Sequence, residues 1–275
     1  MFNISMKDYV KYHHLYPDEL KEIAETYNKI ETYLDNDIFM SMNQHLRLFP
    51  LLNSWRVEIC YAWDLCRRSM VCSTSTFEER IKHKFKSNRI TENRVMQEGL
   101  VEYYLENAMY RLFAALDKCA YVVNILFSLH IQERRISFIS ANSILSEQYA
   151  SHSIAQLFIT FSNGQALNRA REIRNGITHR MHPAAPSYYL DEIIIDLTGS
   201  PKADPRMKSI KFIAPIRSEP SLTIRDFVDL AKSFYDAVTI FLNNLFTMVI
   251  DELQLRLNQE ELEFGGGSIN LRNLK

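Results

Sequence analysis

Apolar residues recur along most of this chain in alternating steps of three and four. Between Thr91 and His130 the series Leu105, Ala108, Leu112, Ala115, Cys119, Val122, Leu126 and Leu129 keeps that rhythm without error. Between Thr223 and Leu257 a second series does the same: Ile224, Phe227, Ala231, Phe234, Val238, Phe241, Leu245 and Met248. A helix turns about 100° per residue, so each series draws one apolar stripe along a long helix, and the two stripes are natural partners. Thr223 with Asp226 three positions on resembles a capping box at the start of the second. Ile38 to Cys72 repeats the pattern with Leu52, Trp55, Ile59, Ala62 and Cys66. Pro50 predicts a kink or a junction there, because a proline inside a helix loses a hydrogen bond and crowds the preceding turn. Shorter helices are predicted from Pro17 to Leu34 and from Gln165 to His182, and Ser137 to Tyr149 with Ser153 to Phe161 reads as one helix or as two helices with a kink. Ser73 to Thr76 reads as a loop whose Ser75 or Thr76 caps a further short helix.

One region departs from the helical period. Residues 188–198 and 208–216 are rich in Tyr, Ile and Phe, and Gly199, Pro201, Asp204 and Pro205 lie between them. β-branched and aromatic runs separated by turn residues predict a small β-hairpin at 188–216, inserted between two helices. The expected fold is therefore all-α: an up-and-down helical bundle over residues 89–258 carrying that hairpin. A helical extension over residues 1–88 precedes it, and a flexible tail over residues 259–275 follows. Tyr9, Tyr12, Tyr16, Tyr27 and Tyr33 give the extension an aromatic-rich surface suited to substrate selection or dimer contacts.

Composition narrows the functional classes. The chain has 275 residues, a net charge of -1 and 47% hydrophobic residues, enough for a substantial core. The near-neutral balance argues against a generic nucleic-acid coat, so anion binding must come from a local patch. Cys60, Cys66, Cys72 and Cys119 are spaced for neither a metal nor a disulfide framework and read as small core residues in a reducing compartment. The N-terminus is too polar for a signal peptide. The most apolar run, Ala237 to Ile250, carries Asn243 and Asn244 and is too short to span a bilayer. These features predict a soluble, cytoplasmic protein with no membrane partner.

The patch is at 165–182, where Arg169, Arg171, Arg174 and Arg180 face the single acid Glu172. Glycine-rich phosphate loops, paired Cys-x-x-Cys, His-Glu-x-x-His and Gly-x-Ser-x-Gly are all absent. His179 and His182 stand three apart, but Pro183 follows at once and no paired carboxylate lies in the segment, so no metal or other cofactor is expected. Arg174 and His179 fit a different chemistry. Cleaving a phosphodiester with its own 2′-hydroxyl requires proton transfer at the 2′ and 5′ oxygens and charge stabilisation on the phosphorane. Histidine titrates in the useful range for the first task. Arginine offers a planar, permanently charged fork for the second. Asn175 can orient the scissile group or bend the helix locally.

Arg174-Asn175-Gly176-Ile177-Thr178-His179 resembles the Arg-x(4–6)-His motif of the HEPN superfamily, including the polar Asn directly after the arginine. The motif also falls, as in that superfamily, on a late bundle helix followed by one more long helix, and the resemblance covers roughly residues 90–258. It implies a metal-independent endoribonuclease in which Arg174, Asn175 and His179 are catalytic and Arg171 and Arg180 guide the RNA backbone. It implies a homodimer with a composite active site, an RNA substrate, and a role as a toxin or phage-defence effector held in check by an antitoxin or regulatory protein. One position departs from the pattern. A subgroup regulated by nucleotidyltransferase antitoxins has a Tyr two residues after the His, and here that position is Met181. The rival expectation is a non-catalytic scaffold of the same fold that holds a nucleotide or a partner protein.

Overall fold

The two apolar stripes lie on the helices that carry the core. The computed structural model describes residues 6–36, 43, 45–84, 92–179, 187–196, 209–218, 223–264 and 270–274. Among them are α1 (Met6–His13), α2 (Lys21–Asn36), α3 (Phe49–Lys84), α4 (Glu92–Leu126) and α5 (Phe138–Gln148). The order continues with α6 (Ser153–Ser162), α7 (Gln165–His179) and α8 (Ile224–Phe264). Every member of the α4 stripe from Leu105 to Leu126 is buried, as is the α8 stripe from Phe227 to Leu245. Residues Ser187–Asp196 (β1) and Ser209–Ser218 (β2) are extended and pair antiparallel, from Ser187 opposite Ser218 to Asp196 opposite Ser209.

Helices α3 and α4 form an antiparallel hairpin with a steady register. Trp55 stacks on Tyr121 with 4.0 Å between ring centroids, Lys118 Nζ lies 2.6 Å from a Glu58 carboxylate oxygen, and Asn107 Nδ2 donates to Ser69 Oγ at 2.7 Å. Helix α8 packs against α4, α7 and α6 and reaches α3 and α2. Its Phe241 is surrounded by Phe138, Phe158 and Phe161 at centroid distances of 5.8, 5.2 and 4.5 Å. Tyr27 of α2 donates its hydroxyl to the Phe246 carbonyl at 3.1 Å, and Trp63 Nε1 donates to Thr239 Oγ1 at 2.8 Å. One hydrophobic cluster therefore runs from Tyr12 to Leu271 and includes the N-terminal helices.

Several boundaries differ from the sequence expectation, each for a physical reason. Pro50 makes no kink: it sits in the first turn of α3, where the missing N–H would have had no partner anyway. Ser73 to Thr76 is not a loop. Helix α3 continues through it, Ser73 and Ser75 are buried, and Thr76 Oγ1 donates to the Cys72 carbonyl at 2.8 Å. Thr74 Oγ1 meets the Tyr16 hydroxyl at 2.9 Å, while Ser73 Oγ is buried with no hydrogen-bond partner among the described residues. Helix α2 starts at Lys21, four residues after Pro17. The tyrosine surface does not exist as expected: Tyr12, Tyr16 and Tyr27 are buried, while Tyr9 and Tyr33 pack partly against the core. The tail is not loose throughout. Helix α8 extends to Phe264, and after Gly265 to Gly267, which lie outside the described residues, a short turn at Leu271–Asn273 docks back on α8. Leu271 is buried there and its N–H donates to Gln254 Oε1 at 2.7 Å. The apolar run predicted to be too short to span a bilayer belongs to a longer helical stretch, Ile224–Gln259, which is long and apolar enough by composition to cross one. However, 56% of its most apolar window is buried inside the fold.

A polar latch ties three helices together near the C-terminal half of α8. His152 caps α6 by accepting the Ile154 N–H at its Nδ1 (3.2 Å), and its Nε2 lies 3.1 Å from Glu252 Oε2. Arg256 Nε donates to Glu252 Oε1 at 2.7 Å, and Arg256 Nη1 donates to the Leu126 carbonyl at 3.0 Å. Burial pushes the Glu252 carboxyl up, but the hydrogen bonds from Arg256 and His152 outweigh it and hold the pKa below its ordinary value. A carboxylate depressed on folding stabilises above its unfolded pKa, and that contribution is lost as pH falls through the folded value. Glu252→Gln is therefore expected to lower the thermal midpoint near neutral pH and to make it less sensitive to acid. Circular dichroism melts should show the two midpoints converging below about pH 4, the ordinary carboxylate range.

Candidate functional site

Helix α7 carries the basic patch because its own apolar spacing leaves the arginines at the edge of the seam or outside it. Leu167 and Ala170 are buried, and Ile173 and Ile177 pack partly against the core, so the seam steps by three and four. Gln165, Asn168, Arg169, Glu172 and Asn175 are exposed. Arg171 and Arg174 lie at the edge of the seam and are half-buried. Helical backbone continues to His179, so Arg174 and His179 are separated by about 7.5 Å along the axis and about 140° around it. The side chains of Thr178 and His179 lie outside the described residues, as do Arg180, Met181 and His182.

Arg174 has a defined seat. Its guanidinium carbon lies 4.8 Å from the centroid of the Phe113 ring on α4, and Phe113 in turn packs against Phe234 of α8 at 5.1 Å. Phe113 is thus a residue of the site that the sequence reading missed, because it sits on a helix far from the motif and resembles any other core position. A cation over an aromatic face is attracted by the ring quadrupole. Packed on the ring, the guanidinium has fewer rotamers left to be frozen when it meets an anion. Asn175, next in sequence, is open to solvent.

Arg169, one and a half turns earlier, faces a groove of about 400 Å³ between the start of α7 and the start of α8. Gln165, Ala166, Asp226, Asp229, Leu230 and Ser233 complete its lining. Thr223 and Asp226 form the reciprocal cap expected from the sequence: Thr223 Oγ1 accepts the Asp226 N–H and the Thr223 N–H reaches Asp226 Oδ2, both at 3.1 Å. Hydrogen bonds from Thr223 hold the Asp226 carboxyl below the usual carboxylate range, and the charges of Arg169 and Arg225 add to the effect. Two carboxylates offset one arginine in this groove, so it is poorly suited to phosphate. The cationic character shifts toward the C-terminal half of α7, where Arg171 and Arg174 lie.

The thiols offer no competing chemistry. Cys66 and Cys119 are fully buried and burial pushes both well above the ordinary thiol value; Cys60 and Cys72 are raised for the same reason. A nucleophilic cysteine needs the opposite shift. Among the described residues no three His, Cys, Asp or Glu side chains converge as a metal site.

Comparison with known families gives a match to the profile described as Cthe2314-like HEPN over residues 55–214, more than half of the chain. The matched stretch takes in most of α3, all of α4 to α7, all of β1 and the first part of β2. No curated protein and no solved structure was found to match.

Proposed function

The chain belongs to the Cthe2314-like HEPN family, and from that premise we propose that it is a metal-independent endoribonuclease acting through Arg174, Asn175 and His179. HEPN domains bind RNA or nucleotides, many are nucleases, and they often act as dimers. The observation that carries the proposal is the seat of Arg174 on Phe113, at the edge of a half-buried basic helix within the matched stretch. Arg174 would bind the scissile phosphate and stabilise the phosphorane as charge develops. His179 would move the proton between the 2′ and 5′ oxygens. Asn175 would orient the phosphate, and Arg171 and Arg180 would guide the strand. A second copy would complete the cleft, and the toxin or defence role with its restraining partner follows from the same reading. Incubation of the purified protein with RNA in excess EDTA is expected to give undiminished cleavage, with 2′,3′-cyclic phosphate and 5′-hydroxyl ends. Loss of cleavage in EDTA, or products bearing 3′-hydroxyls, would sink the proposal.

The second reading, a non-catalytic scaffold for a nucleotide or a partner protein, draws on the same contact. A guanidinium packed on a ring also holds α7 against α4, and that alone would explain the residue. The two readings differ in what Arg174 substitutions do to cleavage and to stability.

A further inference from the structure

The groove between the first turns of α7 and α8 has two walls of different chemistry. Arg169 and Gln165 line it from α7, Asp226, Asp229 and Ser233 line it from α8, and Ala166 and Leu230 supply its apolar surface. Its volume of about 400 Å³ lies within the range of small-ligand sites, about 300–1,000 Å³. Asp226 is committed to the cap of α8, where its carboxylate accepts from the Thr223 N–H and hydroxyl. The charge of Arg169 also reaches Asp226 across the groove. Asp229, three residues further along α8, is the carboxylate left for a ligand, and both it and Arg169 are exposed.

The carboxylates disfavour a phosphate here, and the guanidinium disfavours an amine. A neutral ligand that accepts on one edge and donates on another satisfies both walls. Guanidinium and carboxylate groups each bind best through paired, parallel hydrogen bonds. Guanine offers both pairs: O6 and N7 accept from an arginine fork, while N1–H and the N2 amino group donate side by side to a carboxylate. Adenine and cytosine carry a single amino donor and uracil a single N–H, so none of them fills a carboxylate with two adjacent donor groups. We infer that this groove is a guanine-specific pocket in which Arg169 holds O6 and N7 and Asp229 holds N1 and N2. Resting on the ribonuclease reading, the guanine belongs to the RNA whose phosphate Arg174 binds. Arg169 and Arg174 stand about 7.5 Å apart along α7 and about 140° around it, on opposite edges of the buried seam. An RNA strand running from one to the other crosses the exposed side of α7, over Asn168, Glu172 and Asn175. The pocket therefore takes a flanking base, not one at the cleaved bond.

The test uses the full chain carrying His179→Ala, to prevent cleavage, with fluorescein-labelled RNA of about 12 nucleotides. The reference strand is all adenosine. The others carry at their centre a guanine, an inosine, which lacks the N2 amino group, or a 7-deazaguanine, which lacks N7. Fluorescence anisotropy is expected to show the guanine strand binding about 5- to 150-fold more tightly than the reference, the worth of one bidentate base contact. Inosine and 7-deazaguanine should each lose part of that gain. Asp229→Asn and Arg169→Gln should bring the guanine strand down to the reference. The ratio of the two affinities is the readout, because a purely electrostatic or structural role for either side chain would shift both strands together. If the parent binds both strands equally, or its preference survives both substitutions, the pocket is overturned while the ribonuclease reading stands on cleavage by the wild type. If the parent binds no strand and the wild type cleaves no RNA, the ribonuclease reading falls, and calorimetric titration with GMP decides the pocket. Binding that Asp229→Asn abolishes keeps it as a site for a free guanine nucleotide; no binding ends it.

Discussion

Alanine at His179 is expected to slow RNA cleavage by about 10²- to 10⁴-fold, the usual contribution of a positioned acid–base group. Alanine at Arg174 is expected to slow it by about 10²- to 10³-fold, as loss of one preorganised donor to a developing oxyanion does. The structure adds a finer expectation. Lysine at Arg174 keeps the charge but loses the planar fork that stacks on Phe113, so it should recover only a small part of the rate. Phe113→Leu keeps an apolar filler beside Phe234 and removes the π face under the guanidinium, so it should slow cleavage without touching any reacting atom. Single-turnover cleavage and thermal melts, run on the same preparations, check the set. Loss of the cation–π contact costs about 0.5–2 kcal/mol, a midpoint drop of a few degrees in a domain of this size. Slow cleavage with a midpoint lowered by no more than those few degrees supports catalysis; unchanged cleavage with the same lowering favours the scaffold.

Phe241→Ala is expected to be the most damaging single change to the fold. Its ring is buried among Phe138, Phe158 and Phe161, which come from two other helices. Truncating a buried phenylalanine removes its transfer free energy and leaves a cavity, together about 3–5 kcal/mol. Total stabilities of domains are about 5–15 kcal/mol, so the variant should lose a large part of its margin. Its neighbour Ile240 is 61% exposed and is the matched control: Ile240→Ala should stay within about 0.5 kcal/mol of wild type. Urea denaturation followed at the helical circular dichroism band reads both. Equal destabilisation by the two substitutions would mean that α8 does not pack through Phe241.

The long helices were legible because their signal is redundant. Seven positions from Leu105 to Leu126 agree on one stripe and no single residue decides it, while the eighth, Leu129, lies beyond the end of α4 at Leu126. Boundaries were less legible because they depend on what lies across from them. Pro50 is compatible with a kink and with a first turn, and only the course of the preceding chain separates the two. Ser73 to Thr76 has the composition of a loop, yet the close approach of α4 makes small residues the ones that fit. Tyr12, Tyr16 and Tyr27 look amphipathic, and it is packing by α3 and α8 that takes them inside. At the candidate site, Arg174 and Asn175 could be picked out from local spacing along one helix. Phe113 could not, since its pairing with Arg174 is a long-range contact that exists only once α4 and α7 lie together.

Helix α8 begins at Ile224, after the family-matched stretch has ended at residue 214. Its stripe is the surface on which α4, α6 and α7 close, and its bonds to Tyr27 and Trp63 bind the first helices as well. During synthesis these earlier helices leave the ribosome before the element that covers them exists. The nascent chain therefore carries an open apolar trough until Ile224–Phe264 has been translated, and a message broken before that point yields a polypeptide suited to chaperones and proteases. The synthesis of α8 sets the moment at which the Arg174 seat can first assemble.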